Sequence, residues 1–258
     1  YEDGKGPFAP MMELGGHAPV IVCDDVDPQV AGVISAARKA RNAGQVCTSP
    51  TRFFVDEKIF QPFATAFAAR AAAVRIGNGL TPGVEMGPVA NRRRIDAIEA
   101  LVEDARSKGA RVLTGGVRPK GPGYFYPVTL LAEVPDTARV MHEEPFGPLA
   151  VINPVASVDQ AIARANALPF GLAAYAFTHN AATVDRLMTE IECGNLSINT
   201  LEASVAEIPF GGVKSSGQGR EGGLEGMQHY VETKTVSHRM ALEREPSVSG
   251  ATDWKATP

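Results

Sequence analysis

The sequence contains no apolar run near the ~18 residues that a membrane-crossing helix requires, so no spanning segment is expected. It has no basic excess either: 25 Lys and Arg against 29 Asp and Glu leave a formal net charge of −4. Binding to nucleic acid or to an anionic membrane surface depends on surplus positive charge, so neither partner is expected. Cysteine is scarce. Cys23, Cys47 and Cys193 form no Cys-x-x-Cys pair and no Cys/His cluster with zinc-ligand spacing. That argues against a disulfide framework and against a structural metal. Free thiols fit a reducing compartment, and the cytoplasm is the expected location. Internal repeats and low-complexity segments are missing too. The N-terminus, Tyr1-Glu2-Asp3-Gly4-Lys5, has neither an initiator Met nor a signal-peptide pattern, so the chain reads as soluble and as shortened at its front.

Periodicity supplies the positive evidence. With 258 residues, 44% of them hydrophobic, the chain is long enough to bury a sizeable core. Ala18 to Cys23 predicts a short buried strand ended by Asp24-Asp25. Asp27-Pro28 is a helix start, a capping carboxylate before a proline at the first helical position, and that helix should run to Arg41 or Asn42 before Gly44 stops it. Thr51 to Val55 reads as a strand, Lys58 to Val74 as an alanine-rich helix, and Val89 to Lys108 as an amphipathic helix closed by Gly109. Further strands are predicted at 111–114, 125–132, 148–153, 172–178 and 196–199, with helices at 158–167 and around Val184 to Ile191. Strands alternating with helices predict an α/β fold, a largely parallel sheet flanked by helices.

Four segments carry candidate chemistry. Asn42-Ala43-Gly44-Gln45-Val46-Cys47-Thr48 places a cysteine just past a helix end, on a glycine-containing turn. Backbone N–H groups there can favour a thiolate and hold an oxyanion. Cys23, inside an apolar strand, and Cys193, at a helix end, keep the ordinary role of small buried hydrophobes. Met12-Glu13-Leu14-Gly15-Gly16-His17 sets a carboxylate in an apolar stretch, where a raised pKa would suit a base near neutral pH. The third is His142-Glu143-Glu144-Pro145-Phe146-Gly147-Pro148, and the fourth is Pro209-Phe210-Gly211-Gly212-Val213-Lys214, continuing to Glu221. Gly217 to Gly222 spells G-x-G-x-x-G, but it follows a loop rather than a strand, so no dinucleotide fingerprint is expected from it.

In this order and spacing, with Glu13 and Cys47 34 residues apart, the segments resemble the aldehyde dehydrogenase superfamily across residues 10–237. The resemblance implies that Cys47 attacks an aldehyde carbon and that Glu13 activates the water that releases the acid. It also implies that Glu144 holds the nicotinamide ribose, with Phe146 packed near that ring. NAD or NADP is the implied cofactor of the complete enzyme. Similar proteins are about twice as long, and their other half carries most of the dinucleotide site and a second oxyanion donor, an Asn side chain. This chain alone is therefore expected to bind no cofactor and to turn over no aldehyde. The implied layout is a cofactor-domain remnant at 1–13, the catalytic domain at 14–211, a return segment and oligomerisation strand at 212–243, and a polar tail at 244–258. The strand, Tyr230 to Val236, implies a homo-oligomer, a dimer or tetramer.

Arg-Asn-x-Gly-Gln-x-Cys is similar to the succinate-semialdehyde branch, in which an arginine at the position of Arg41 faces the substrate acid. Ser204 would add a hydrogen bond to the same carboxylate. An acidic semialdehyde is the leading substrate, and an aromatic or simple aliphatic aldehyde the second. His17, where many relatives have Lys, reads as structural. Two other classes stay open: a thiol acyl-transferase or esterase working without nicotinamide, and a non-catalytic fragment serving oligomer contacts. Glu144 and Phe146 count against the first, and an intact Cys47–Glu13 pair against the second.

Overall fold

Residues that alternate between buried strand and amphipathic helix collapse here around one seven-stranded sheet. The structure is a computed structural model describing residues 11–240. Most of the expected cofactor-domain remnant and all of the polar tail lie outside the described residues.

The elements in chain order are β1 (Met12–Glu13), β2 (Pro19–Val22), α1 (Pro28–Ala40), β3 (Arg52–Asp56), α2 (Phe60–Ala72), α3 (Arg92–Ser107), β4 (Arg111–Thr114), β5 (Thr129–Ala132), β6 (Leu149–Val155), α4 (Val158–Asn166), β7 (Phe170–Gly171), β8 (Ala173–Phe177), α5 (Ala181–Glu190), β9 (Asn195–Ile198), β10 (Val213–Lys214), β11 (Gly217–Gln218) and α6 (Gly223–Met227). The main sheet runs β4-β5-β6-β3-β2-β8-β9. Every pairing in it is parallel except the edge pair β4–β5. Parallel strands covered on both faces need no polar alternation, and β8, Ala-Ala-Tyr-Ala-Phe, is buried at all five positions. Two-residue ribbons, β1 with β11 and β7 with β10, stand apart from the sheet.

Local chemistry sets the helix ends. The Asp27 carboxylate accepts from the N–H groups of Gln29 and Val30 ahead of Pro28, as the sequence predicts. The third helix starts at Arg92 rather than Val89, because the Asn91 side chain caps it through the Arg94 N–H. The strand predicted over 125–132 shortens to Thr129–Ala132, since Pro127 has no donor to extend the ladder. α1 packs along α2, and Phe63 and Phe67 of α2 meet Phe53 of β3 with ring centroids 5.9 and 5.5 Å away. Arg52, buried at the start of β3, donates to the carbonyls of His17, Arg164 and Ala165, fastening the loop before β2 to the end of α4.

The exposed strand predicted at Tyr230 to Val236 does not form in the single chain. Gln228–Tyr230 make a 3-10 turn, and 231–239 pair with no strand among the described residues. A strand exists only through its ladder, and this chain offers that segment no partner.

Candidate active site

β6, β3 and β2 lie side by side and parallel, so the loops that enter them arrive at one edge of the sheet. Glu144 and Phe146 precede β6, Cys47 precedes β3, and Glu13 precedes β2. Topology therefore brings together three segments separated by up to about half the chain. The meeting point is the edge where the strands begin, opposite to the strand-end crevice in which open parallel sheets usually bind ligands.

Cys47 follows an unusual turn. α1 ends at Ala40, a 3-10 turn covers Arg41–Gly44, and Asn42, Ala43 and Gly44 all adopt positive φ, +49°, +51° and +67°. Non-glycine residues pay about 1–2 kcal/mol for this conformation, and two reciprocal bonds offset part of it. The Asn42 amide donates to the Gln45 carbonyl at 2.9 Å, and the Gln45 amide to the Asn42 carbonyl at 3.2 Å. Past the turn, the Cys47 thiol donates to Glu13 Oε2 at 3.7 Å.

Glu13 is set by the β1–β11 ribbon, in which it pairs with Gly217, while the Leu14 N–H donates to the Ser216 carbonyl. The G-x-G-x-x-G stretch thus has a local structural job. Gly217 sits at φ +147°, and a side chain there would strike the Met12 carbonyl oxygen. The second carboxylate oxygen, Glu13 Oε1, is buried with no hydrogen-bond partner among the described residues.

Burial raises the Glu13 pKa above the carboxylate norm; the thiol's hydrogen bond opposes this, and Glu221 adds to it. The expectation that backbone donors make Cys47 a ready thiolate fails in this state. Its pKa is pushed up to about 11, first by burial and then by the Glu13 charge, with the Thr48 N–H lowering it too little to compensate. Cys47 accordingly holds its proton in this state, and Glu13 is the acceptor placed to receive it.

Glu144 and the paired glycines interlock. The Gly16 N–H donates to Glu144 Oε1 at 3.1 Å, and a methyl group on Gly15 would lie 2.6 Å from Glu144 Oε2. A methyl group on Gly16 would come within 2.9 Å of the Cys47 carbonyl oxygen, so the glycine pair admits both the nucleophile turn and the carboxylate. Burial raises the Glu144 pKa, and the Gly16 N–H, Lys39 and Arg94 lower it. Phe146 holds φ +40° and leaves its ring partly exposed beside this carboxylate.

Arg41 and Ser204 line the same cleft as Cys47 and Glu13, a space of about 580 Å³ that Arg38, Glu202, Phe210 and Glu221 also border. Four of the expected residues, Cys47, Glu13, Arg41 and Ser204, line one cleft, Glu144 and Phe146 are not among its lining, and sequence reasoning misses Lys39. That lysine is fully buried, donating to Ser49 Oγ at 3.0 Å and Thr51 Oγ1 at 3.4 Å, and burial lowers its pKa to about 7 against the raising pull of Glu144. The signal was available, since Lys39 falls on the stripe of Gly32, Ser35 and Ala36 that α1 buries. His17 is buried and neutral, its Nε2 donating to the Val140 carbonyl at 2.9 Å, and it stands outside the cleft, as a structural residue would.

The site thus sets a thiol beside a half-buried carboxylate, with a second carboxylate on a Glu-Pro-Phe-Gly loop. The model of the aldehyde dehydrogenase family matches residues 7–236. The chain belongs to that family. It is 49% identical over 227 residues to a 4-(hydroxymethyl)benzenesulfonate dehydrogenase of Comamonas testosteroni, covering 88% of this chain and 47% of the relative. It is 43% identical over 225 residues to a succinate-semialdehyde dehydrogenase of Paenarthrobacter nicotinovorans, covering 87% and 50%. Among solved structures, an NADP-dependent enzyme of E. coli superposes with a TM-score of 0.84 at 40% identity, over 86% of this chain and 46% of its own. A betaine aldehyde dehydrogenase of Staphylococcus aureus in complex with NAD+ superposes with a TM-score of 0.82 at 32% identity, over 87% and 46%. The chain spans about half the length of the curated relatives it matches.

Proposed function

We propose that this chain supplies the nucleophile and base of an NAD(P)-dependent aldehyde dehydrogenase whose preferred substrate is an aldehyde with an acidic far end, succinic semialdehyde being the simplest. The observation that carries the chemistry is the Cys47–Glu13 contact at 3.7 Å with Glu13 Oε1 left open. As Cys47 Sγ bonds to the aldehyde carbon, its proton passes to Glu13 Oε2, and backbone N–H groups of the turn hold the oxyanion of the thiohemiacetal. A nicotinamide, when bound, supplies the acceptor for the hydride. Glu144 and Phe146 fit it, one offering a carboxylate to a ribose hydroxyl and the other an apolar ring face. Cys47 then carries a thioester. Glu13 releases the thiol's proton to solvent, takes a proton from water as the water oxygen attacks, and returns it to Sγ as Sγ leaves and the acid departs. The acid end of the substrate sits on Arg41, with Ser204 donating a second bond.

Two variants of the complete gene product test this by following nicotinamide reduction. Cys47→Ala removes all turnover. Glu13→Gln slows both the acylation burst and the hydrolysis that follows it, with steady turnover down about 10²–10⁴-fold. Activity surviving in Cys47→Ala would remove the central assignment. The succinate-semialdehyde dehydrogenase relative is named for an acidic aldehyde, in line with the Arg41 reading, and a neutral aldehyde is the alternative the same assay decides.

A further inference from the structure

The loop after β9 presents more than Ser204 to the cleft. Leu201 and Ala203 are buried, whereas Glu202 and Ser204 are exposed and border the space beside Cys47. Such alternation belongs to extended chain, in which residues two apart share a face. The backbone of Glu202 is tied on both sides: its N–H donates to Thr200 Oγ1 at 3.3 Å, and its carbonyl accepts from Ser197 Oγ at 2.8 Å. Its carboxylate meets no cationic nitrogen within 4.0 Å among the described residues.

Opposite charge borders the same cleft from the end of α1. Arg38 and Arg41 likewise meet no carboxylate within 4.0 Å among the described residues. Arg38 lies near the Tyr175 hydroxyl, which donates to the Thr48 carbonyl at 2.6 Å. Arg41, six residues before Cys47, is open to a ligand. Glu13 and Glu221 complete the charged lining. The cleft therefore offers a free cation and a free anion at once, with no ion pair between them. A substrate carrying only negative charge would gain at Arg41 and be repelled at Glu202. A substrate carrying both signs satisfies both walls.

We infer that Glu202 is a specificity-determining residue and that the substrate is an α-amino acid semialdehyde, its carboxylate on Arg41 and Ser204 and its ammonium on Glu202. This rests on the reading of Arg41 as the acid clamp. The reaction is unchanged, since the ammonium group takes no part in the hydride or hydrolysis steps.

Three aldehydes that add one group at a time separate the two readings: butanal, succinic semialdehyde, and 2-amino-4-oxobutanoate. They share a four-carbon chain. In the complete gene product with its nicotinamide cofactor, kcat/KM should rise from the first to the second, and by a further factor of about ten to the third. Glu202→Gln should collapse the last ratio to about one, while Arg41→Met should erase the advantage of both acids over butanal. If butanal is best and Arg41→Met changes no ratio, the acid clamp falls and this inference with it. If both acids beat butanal through Arg41, yet the amino compound gains nothing or Glu202→Gln lowers both acids alike, this inference alone falls.

Discussion

At Lys39 the fold spends stability on a charge it keeps dry. Its pKa falls from the ordinary 10.5 to about 7 through burial, so between those values the unfolded chain holds a proton that the folded chain lacks. Stability then rises with pH, by up to about 1.4 kcal/mol per unit. The penalty is fully present below the folded value and gone above the unfolded one. Lys39→Met removes the titration. Denaturant unfolding should therefore show the variant's stability relative to the parent highest near pH 7 and falling steadily towards pH 10. The loss of a partner for Ser49 and Thr51 adds only a constant offset. A pH-independent difference would mean that the lysine titrates normally. Residue-scale legibility follows the same logic. Cys47, Glu13, Glu144 and Arg41 were readable because each stands in a motif with its own spacing. Lys39 and Arg52 were not, because a buried cation looks like a surface cation until the helix stripe or the receiving carbonyls are known. The thiol's raised pKa was missed because burial, which no motif records, outweighed the backbone donors.

Elements with a period declared themselves and elements without one did not. α1, α3 and α4 have capping side chains and buried stripes, β2 and β8 are unbroken apolar runs, and β3 and β6 are apolar apart from Arg52, Asp56 and Asn153. The β1–β11 ribbon is two residues long on each side, too short for any pattern, and yet it fixes the general base. Gly217 is its weak point. Gly217→Ala puts a methyl group against the Met12 carbonyl oxygen at a φ that side chains avoid, a strain of about 1–3 kcal/mol that the ribbon must relieve by shifting. Glu13 moves with it. In the complete gene product the expected outcome is a turnover loss of more than about tenfold, in both acylation and hydrolysis as in Glu13→Gln. Alkylation of Cys47 by a neutral reagent should speed up, because the Glu13 charge that raises the thiol's pKa has moved away. Unchanged turnover would show that the ribbon does not set the base.

For the molecule as a whole, the question is how much of a cofactor site one sheet edge can make. In the proposed reading Glu144 and Phe146 meet only the nicotinamide end of a dinucleotide. The described residues offer no glycine-rich loop between a strand and a helix N-terminus, the arrangement that cradles a pyrophosphate, and the one G-x-G-x-x-G stretch is occupied in holding β1. Its relatives are about twice as long. Two side chains at one end of a large, flexible, charged ligand offset little of the ordering cost of binding. Titration calorimetry of the isolated 258-residue chain with NAD+ and with NADP+ should therefore give no saturable heat at micromolar concentration. The complete gene product should bind one of the two in that range, and Glu144→Gln should weaken it. Micromolar affinity in the isolated chain would require a phosphate site within these residues, and would overturn the division of labour argued for Glu144 and Phe146.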